Sequence, residues 1–426
     1  MESKDKRYRA YLTILHEELV PAMGCTEPIA IAYAAARARE VLGKPPERVR
    51  VEVSDNIIKN VKSVIVPNTG NLKGIEASAA AGIVAGDAGK VLEVIASVDQ
   101  EARKGIKAFL DTKPVEVVNA ESGLKFDLTV TVFSGKSKAS VRISHYHTNI
   151  VLITKDDEVI YQNEGCDDID PSFRADRSLM NVKDILEFAE IVQLSGIEDL
   201  LARQIDYNMK IAKAGLSGDW GANIGSVLLE VWGDDIKVRA KALAAAGSDA
   251  RMSGCELPVV IVSGSGNQGI TASVPVIEYA RELGVDREPL LRALVVSNLV
   301  SIHLKTGIGS LSAYCGAVSA GAGAGAGIAW LHGGRFEEVA HTIVNALAIV
   351  SGIICDGAKP SCAAKVAFSV EAGILGFQMF KKGYEFYGGD GIIKKGVENT
   401  IMNVGRLGSR GMRETDKEII RMMLGE

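Results

Sequence analysis

Aromatic side chains are scarce in this 426-residue sequence, at 5% of all residues, whereas hydrophobic residues of every kind reach 47%. The core must therefore be built from Ala, Val, Ile and Leu, whose small side chains allow close packing. The chain is also longer than one hydrophobic core usually supports, so we expect two or three domains.

The sequence has no dense run of Lys or Arg, and its formal net charge is -5. We therefore expect no nucleic-acid or membrane partner, but a small-molecule ligand. Residues 1–20 contain charges and no continuous apolar stretch, so they do not predict a signal peptide. We expect a cytoplasmic protein, and we interpret the uncharged, Gly- and Ala-rich segment 306–334 as a buried helix rather than a membrane span.

Hydrophobic spacing divides the chain into three parts. Residues 1–45 have the helical period, with a break at PAMGCTEP (21–28). Residues 46–165 contain short β-branched runs: VRVEVS, KSVIVP, KVLEVIASV, FDLTVTVFS, KASVRISH and NIVLITK. Residues 166–426 read as long helices joined by Gly-rich turns. We predict an α+β fold, in which a smaller α+β domain is inserted between the N-terminal helices and a mainly helical catalytic domain.

Three of the six cysteines, Cys315, Cys355 and Cys362, lie in the predicted helical domain. Without a secretory signal, they indicate metal ligands or catalytic thiols rather than disulfides. Gly and Pro in the CDGAKPSC loop can turn two sulfurs toward one centre, and soft thiolates select zinc or iron-sulfur clusters. The spacing matches neither zinc ribbons nor bacterial ferredoxins, so spacing alone leaves buried, inert cysteines as an equal alternative. We expect Cys166 and Cys255 to be structural.

Four separated motifs occur in order along the chain: GCTEP (24–28), GSGNQGI (264–270) with Pro275, YCG (314–316), and CDG (355–357) followed by Cys362. Together they resemble the L-cysteine desulfidase family, which is related to the catalytic alpha region of iron-sulfur L-serine dehydratases. The resemblance spans nearly the whole chain.

The resemblance implies that Cys315, Cys355 and Cys362 hold a 4Fe-4S cluster and that Cys25 is the catalytic base. It also implies β-elimination of L-cysteine to pyruvate, ammonia and hydrogen sulfide. The last two cluster cysteines stand closer together than in the serine dehydratases, and RMMLGE at the C-terminus lacks a terminal cysteine. Both features favour the desulfidase branch, while serine stays open as a substrate.

The implied chemistry places demands on these residues. Three thiolates leave one iron of a cubane cluster without a protein ligand, so that this iron can act as a Lewis acid toward the substrate. Cys25 must be a thiolate to serve as a base. A helix that starts at Thr26 would favour the thiolate through its dipole, whereas an ionised Glu27 would oppose it.

Several polar groups are candidates for binding the amino acid. The loop at residues 263–269 lacks a Walker lysine and the dinucleotide glycine spacing, so we expect it to hold a carboxylate instead. His145 and His147 would point the same way on a strand, although a hydrogen-bonded surface pair is the plainer interpretation. The substrate-binding residues that we predict are Asn56, Lys59, Asn68, Thr69, His147, Thr148, Asn267 and Gln268.

Three alternatives remain open at this point. The first is an iron-sulfur L-serine dehydratase, which differs only in the leaving group. The second is a pyridoxal-phosphate lyase with a Schiff base on a lysine such as Lys365. The third is a non-catalytic amino-acid-binding protein with core cysteines. We also expect a homo-oligomer, namely a dimer.

Overall fold

The computed structural model describes residues 1–163, 175–309 and 311–425. Its architecture is a six-stranded mixed sheet beside a large assembly of helices, which confirms the predicted α+β fold. One extensive hydrophobic core lies among the helices, and a second lies between the sheet and the N-terminal helices. The division into domains at residues 45 and 165 stays a prediction.

The six-stranded sheet has the strand order β3-β2-β4-β5-β6-β7, and a separate pair joins β1 to β8. Only β2 and β3 are parallel neighbours. The strands are β1 (Pro21–Met23), β2 (Arg48–Val53), β3 (Val115–Asn119), β4 (Asp127–Ser134), β5 (Ser137–Ser144), β6 (Ile150–Lys155), β7 (Glu158–Gln162) and β8 (Pro258–Val260).

The helices before and within the sheet region are α1 (Lys6–Glu18), α2 (Thr26–Leu42), α3 (Asp55–Val61), α4 (Gly74–Ala85) and α5 (Gln100–Thr112). Those that follow are α6 (Val182–Ile191), α7 (Glu198–Ser217), α8 (Ile224–Trp232), α9 (Ile236–Met252), α10 (Gly266–Leu283), α11 (Arg287–Ile308), α12 (Gly316–Leu331), α13 (Phe336–Val350), α14 (Cys362–Lys381), α15 (Val397–Arg406) and α16 (Arg413–Leu424).

The sheet buries one face against α2. Apolar residues alternate along β4 and β5, so that Val130 lies opposite Val141 and Leu128 opposite Ile143 in the antiparallel register. These side chains are fully buried, together with the alanine-rich face of α2. Because α2 begins directly after Cys25, the same packing fixes the position of that cysteine.

Helix α12 contains the GAVSAGAGAGAG segment and lies at the centre of the helical core, as expected for a tightly packed helix. Its glycines allow neighbouring backbones to approach closely: a Cβ on Gly321 would lie 2.2 Å from the Ser369 carbonyl oxygen. This contact joins α12, which has Cys315 as its N-cap, to α14, which begins at Cys362.

Two sequence-based strand predictions were wrong, and four short strands were missed. KVLEVIASV begins in a 3₁₀ turn over Ala88–Glu93, where Asp87 accepts a hydrogen bond from the Gly89 amide. KSVIVP contributes a single bridge, from Ile65 to Lys73, instead of a strand. Strands β1, β3, β7 and β8 have three to five residues, too few for a clear alternating pattern.

Among the described residues, one helix, α14, is long and apolar enough to cross a membrane by length and composition. It packs against α9, α12 and α13, and 56% of its most apolar window is buried inside the protein. These contacts are typical of a core helix in a soluble protein.

We expect Gly321→Ala to destabilise the protein by about 1–3 kcal/mol, because the added methyl group would meet backbone atoms of α14 that cannot rotate away. Gly352→Ala is the control, since no atom lies within 4 Å of a Cβ at Gly352 and its φ is not positive. Urea unfolding monitored by circular dichroism measures both effects. Equal stabilities of the two variants would contradict the close contact.

Candidate active site

A cavity of about 690 Å³ lies where the sheet region meets the helical region. Four cysteines line it: Cys25, Cys315, Cys355 and Cys362. The sheet region contributes residues 123–126 and 145–148, and the helical region contributes the start of α10 and the segment between α11 and α12. Such a concave site with converging polar groups is the natural place for a small-molecule reaction.

A short antiparallel pairing positions Cys315 and Cys355. Tyr314 bridges Ile354; the Cys355 amide donates to the Ala313 carbonyl at 2.6 Å, and the Cys315 amide to the Ile353 carbonyl at 3.1 Å. Side chains alternate along extended backbone, so both thiols lie on the face away from the bridging pair. Cys315 and Cys355 are diagonal neighbours across this pairing, and the Cα atoms of diagonal neighbours are about 7–8 Å apart.

Cys362 joins this pair from the first turn of α14. Gly357 makes the preceding loop turn at a φ of +89°, and the Cys362 thiol contacts the Gly357 carbonyl oxygen at 3.6 Å. A Cβ on Gly357 would lie 2.5 Å from the Lys59 carbonyl oxygen, so the loop packs directly on α3. The loop thereby turns Cys355 and Cys362 to the same cavity.

The three thiols influence one another electrostatically. Burial and then the neighbouring Cys355 raise the pKa of Cys315 to about 12. Burial likewise raises the pKa of Cys362, with Cys355 acting in the same direction. Within the described ranges, no three His, Cys, Asp or Glu side chains form a group suited to one metal ion. A cluster makes a different demand from a single ion, because each thiolate binds a separate iron and the sulfurs need not converge on one point. The role of these cysteines as cluster ligands stays a prediction.

Cys25 is the N-cap of α2, as the sequence indicated, but its surroundings do not favour a thiolate. The side chain is 2% exposed and packs against Val64, Met252 and Cys362. Burial raises its pKa to about 12; the Arg251 charge acts to lower the pKa, while Glu27 acts to raise it, as expected. The Cys25 thiol is therefore neutral here at neutral pH.

Glu27 is the centre of a second polar group. Its carboxylate accepts hydrogen bonds from the Asn60 amide at 3.0 Å and the Thr26 hydroxyl at 3.1 Å, and it lies 3.9 Å from His147 Nε2. Burial acts to raise the Glu27 pKa, but His147 and the Arg251 charge outweigh it and lower the pKa to about 2. The buried His147 Nε2 has no hydrogen-bond partner within 3.5 Å, and the Glu27 carboxylate is its ion-pair partner.

Two buried lysines line the cavity. The Lys59 ammonium is paired with Asp416 of α16 at 2.6 Å. Lys59, which we predicted to bind the substrate, is therefore already paired with a carboxylate of the protein itself. Lys305 donates to the Gly309 carbonyl oxygen. Burial lowers the Lys305 pKa to about 8, although the nearby Cys355 and Cys315 act to raise it.

The loop before α10 forms another wall, through Asn267 and Gln268. Gln268 Oε1 is buried without a hydrogen-bond partner. Arg251, in the last turn of α9, donates from Nε to the Gly24 carbonyl at 2.9 Å and from one terminal nitrogen to Asn267 Oδ1 at 3.1 Å. This arginine connects the α10 loop to the segment that carries Cys25.

Three of the predicted substrate-binding residues, Asn56, Asn68 and Thr69, lie outside this cavity. Asn68 and Thr69 bond to the carbonyl oxygens of Ile95 and Val66, as expected for turn residues. Neither they nor Asn56 line the cavity, whereas His147, Thr148, Asn267 and Gln268 do. Strand β5 ends at Ser144, so His145 lies in a turn, with a φ of +68°, rather than on the strand expected for a histidine pair.

Of the other residues singled out in the sequence, Lys365 is paired with Asp356 and lies outside the cavity lining. Cys255 is buried and free, in agreement with a structural role. Cys166 lies outside the described residues. Sequence reasoning missed Arg251 and Asn60; an arginine in the last turn of a helix is too ordinary a signal to mark a site.

The family model of the serine dehydratase alpha chain matches residues 77–421. The chain belongs to the serine dehydratase alpha chain family. The matched stretch includes Cys315, Cys355, Cys362 and the α10 loop, and it begins after Cys25. Membership in this family indicates an amino-acid lyase.

Curated relatives match over the full chain. A UPF0597 protein of Desulfitobacterium hafniense is 61% identical over 100% of this chain and 99% of its own length. UPF0597 proteins of Lachnoclostridium phytofermentans and Treponema denticola are 52% and 46% identical, over 98% and 99% of this chain and 100% and 99% of their own lengths. These names state no reaction, so the narrower assignment to cysteine desulfidases stays a prediction.

We expect iodoacetamide to alkylate Cys25 in the native, metal-free protein at about pH 8 at least about 1,000-fold more slowly than in the urea-unfolded chain. Reactivity belongs to the thiolate, and the pKa is raised from 9.0 to about 12. Peptide mass spectrometry measures the rate at each pH.

The pH dependence separates this effect from steric protection alone. The native rate should still rise about tenfold per pH unit between about pH 9.5 and 10.5, where the unfolded chain has levelled off. A native rate that levels off near pH 9 would contradict the raised pKa.

Proposed function

We propose that this protein is an L-cysteine desulfidase, which converts L-cysteine and water to pyruvate, ammonia and hydrogen sulfide. The observation that carries the proposal is that Cys315, Cys355, Cys362 and Cys25 line a single cavity. Family membership supports the coarser assignment to amino-acid lyases. We also propose a cytoplasmic location, a homodimer, and no nucleic-acid or membrane partner.

The cofactor that we propose is a 4Fe-4S cluster held by Cys315, Cys355 and Cys362. The donor set supports it, because three soft thiols come from three separate segments to one cavity and each is only partly exposed. When bound, a cluster with three protein ligands supplies a Lewis-acidic iron.

The chain's own residues would bind the amino acid and handle its protons. We propose that Cys25, as a thiolate, removes the Cα proton of L-cysteine. The electron pair of the Cα–H bond then forms the Cα–Cβ double bond as the Cβ–S bond breaks and sulfide leaves. The aminoacrylate product then tautomerises to an imine, and water releases pyruvate and ammonia.

Because the Cys25 thiol is neutral here, its own proton must leave before it acts as a base. His147 is the proposed acceptor, since its Nε2 makes no short hydrogen bond and the Glu27 carboxylate, 3.9 Å away, would stabilise the resulting positive charge.

L-Serine dehydration is the second candidate, and the family description itself favours it. The two reactions require the same proton transfer and differ in the leaving group. A relative rate therefore decides between them.

The test is turnover of anaerobically purified, iron-loaded protein with each amino acid. We expect faster sulfide release from L-cysteine than pyruvate release from L-serine. Cys355→Ala should lose iron and lower kcat/KM by about 100-fold or more, because even indirect metal-site partners contribute 10–100-fold.

Cys255→Ala is the matched control, since Cys255 is also a buried free thiol but does not line the cavity. It should keep full iron content and activity. Faster turnover of serine would replace the desulfidase assignment with the dehydratase. Absence of iron together with absence of turnover would overturn both.

A further inference from the structure

Arg251 is a buried cation with no carboxylate within ion-pair distance among the described residues, although its charge acts at longer range on the ionised Glu27. Its side chain lines the cavity at 4% exposure, and its two hydrogen bonds go to the Gly24 carbonyl and the Asn267 amide oxygen. The other terminal nitrogen forms no hydrogen bond within the described protein. Glu27 supplies a negative charge nearby but no direct hydrogen bond, so the unbonded terminal nitrogen of Arg251 can still pair with an anion in the cavity.

The start of α10 adds donors at the same place. No side chain caps this 18-residue helix, so the first-turn N–H groups at Gly266, Asn267 and Gln268 have no intrahelical partner. A Cβ on Gly266 would lie 2.3 Å from Arg251 Nε, so the guanidinium packs directly against this turn. Guanidinium and free N–H groups together form a site for a carboxylate.

Gln268 supplies an acceptor beside these donors. The side chain is 5% exposed, lines the cavity and packs on Gly316 at the start of α12. Its Oε1 has no hydrogen-bond partner. An ammonium group is the complementary donor, so the two ends of a zwitterionic amino acid match the two sides of this site.

We propose that Arg251, with the first turn of α10, binds the α-carboxylate of the amino-acid substrate, and that Gln268 accepts a hydrogen bond from its α-ammonium group. The identity of this ligand rests on the proposed function. Arg251 also bonds to the carbonyl of the residue before Cys25, so binding here brings the substrate Cα to the Cys25 side of the cavity. Arg251 is thus a substrate-binding residue that family membership does not assign.

Equilibrium binding of unreactive ligands tests this inference without turnover. L-Alanine has both charged groups but no leaving group, and L-alaninamide lacks the carboxylate. By calorimetry on anaerobically purified protein, we expect L-alanine to bind at least about 30-fold more tightly than L-alaninamide, since breaking a buried charge pair costs 2 kcal/mol or more. Arg251→Met should abolish this difference.

Arg39→Met is the matched control, because Arg39 also donates to two backbone carbonyls, those of Ile83 and Gly86, but lies outside the cavity. It should leave L-alanine binding unchanged. Arg251→Lys retains the charge and serves if Arg251→Met does not fold; it should weaken L-alanine binding and leave L-alaninamide binding unchanged.

Equal binding of the two ligands by the wild type, no binding of L-alanine, or unchanged discrimination in the Arg251 variants would each overturn the inference. Discrimination that depends on Arg251 in a protein without lyase turnover would support the binding site and reject the proposed function. Lyase turnover in a protein whose ligand discrimination does not depend on Arg251 would support the proposed function and reject the binding site.

Discussion

Two backbone hydrogen bonds between residues 313–315 and residues 353–355 are the constraint on which the rest of the site depends. They join the segment before α12 to the segment before α14, and so set Cys315 and Cys355 on one face. The glycine contacts between α12 and α14 fix the same two segments from the other end. A small local pairing therefore determines where thiols separated by forty positions can act together.

The cavity combines groups that are unstable alone when buried. Burial raises the pKa values of Cys25 and Cys315, so both thiols are neutral at neutral pH, and it lowers the pKa of Lys305 to about 8, which weakens but does not remove its positive charge. Arg251 stays charged, as every arginine does. A site with neutral thiols, a cation that lacks a direct ion pair and a Gln268 acceptor without a hydrogen bond is organised for binding a ligand rather than for stability.

The sequence predicted much of this arrangement and missed specific parts for physical reasons. The α+β fold followed from the change in hydrophobic period, and the alternation in β4 and β5 located the sheet. Asn68 and Thr69 looked like site residues because polar turn residues and polar site residues have the same local pattern. Arg251 became recognisable only in three dimensions, where it lines the cavity, lacks a direct ion pair and leaves one terminal nitrogen without a hydrogen bond.

The central claim is that Cys315, Cys355 and Cys362 together hold an iron-sulfur cluster at the cavity wall. Crystallography of anaerobically prepared protein, with anomalous data collected at the iron edge, tests it most directly. The account predicts a compact iron peak bonded to these three sulfurs, with one iron facing the cavity. Iron bound by other residues, or three sulfurs that remain free in iron-replete crystals, would contradict it.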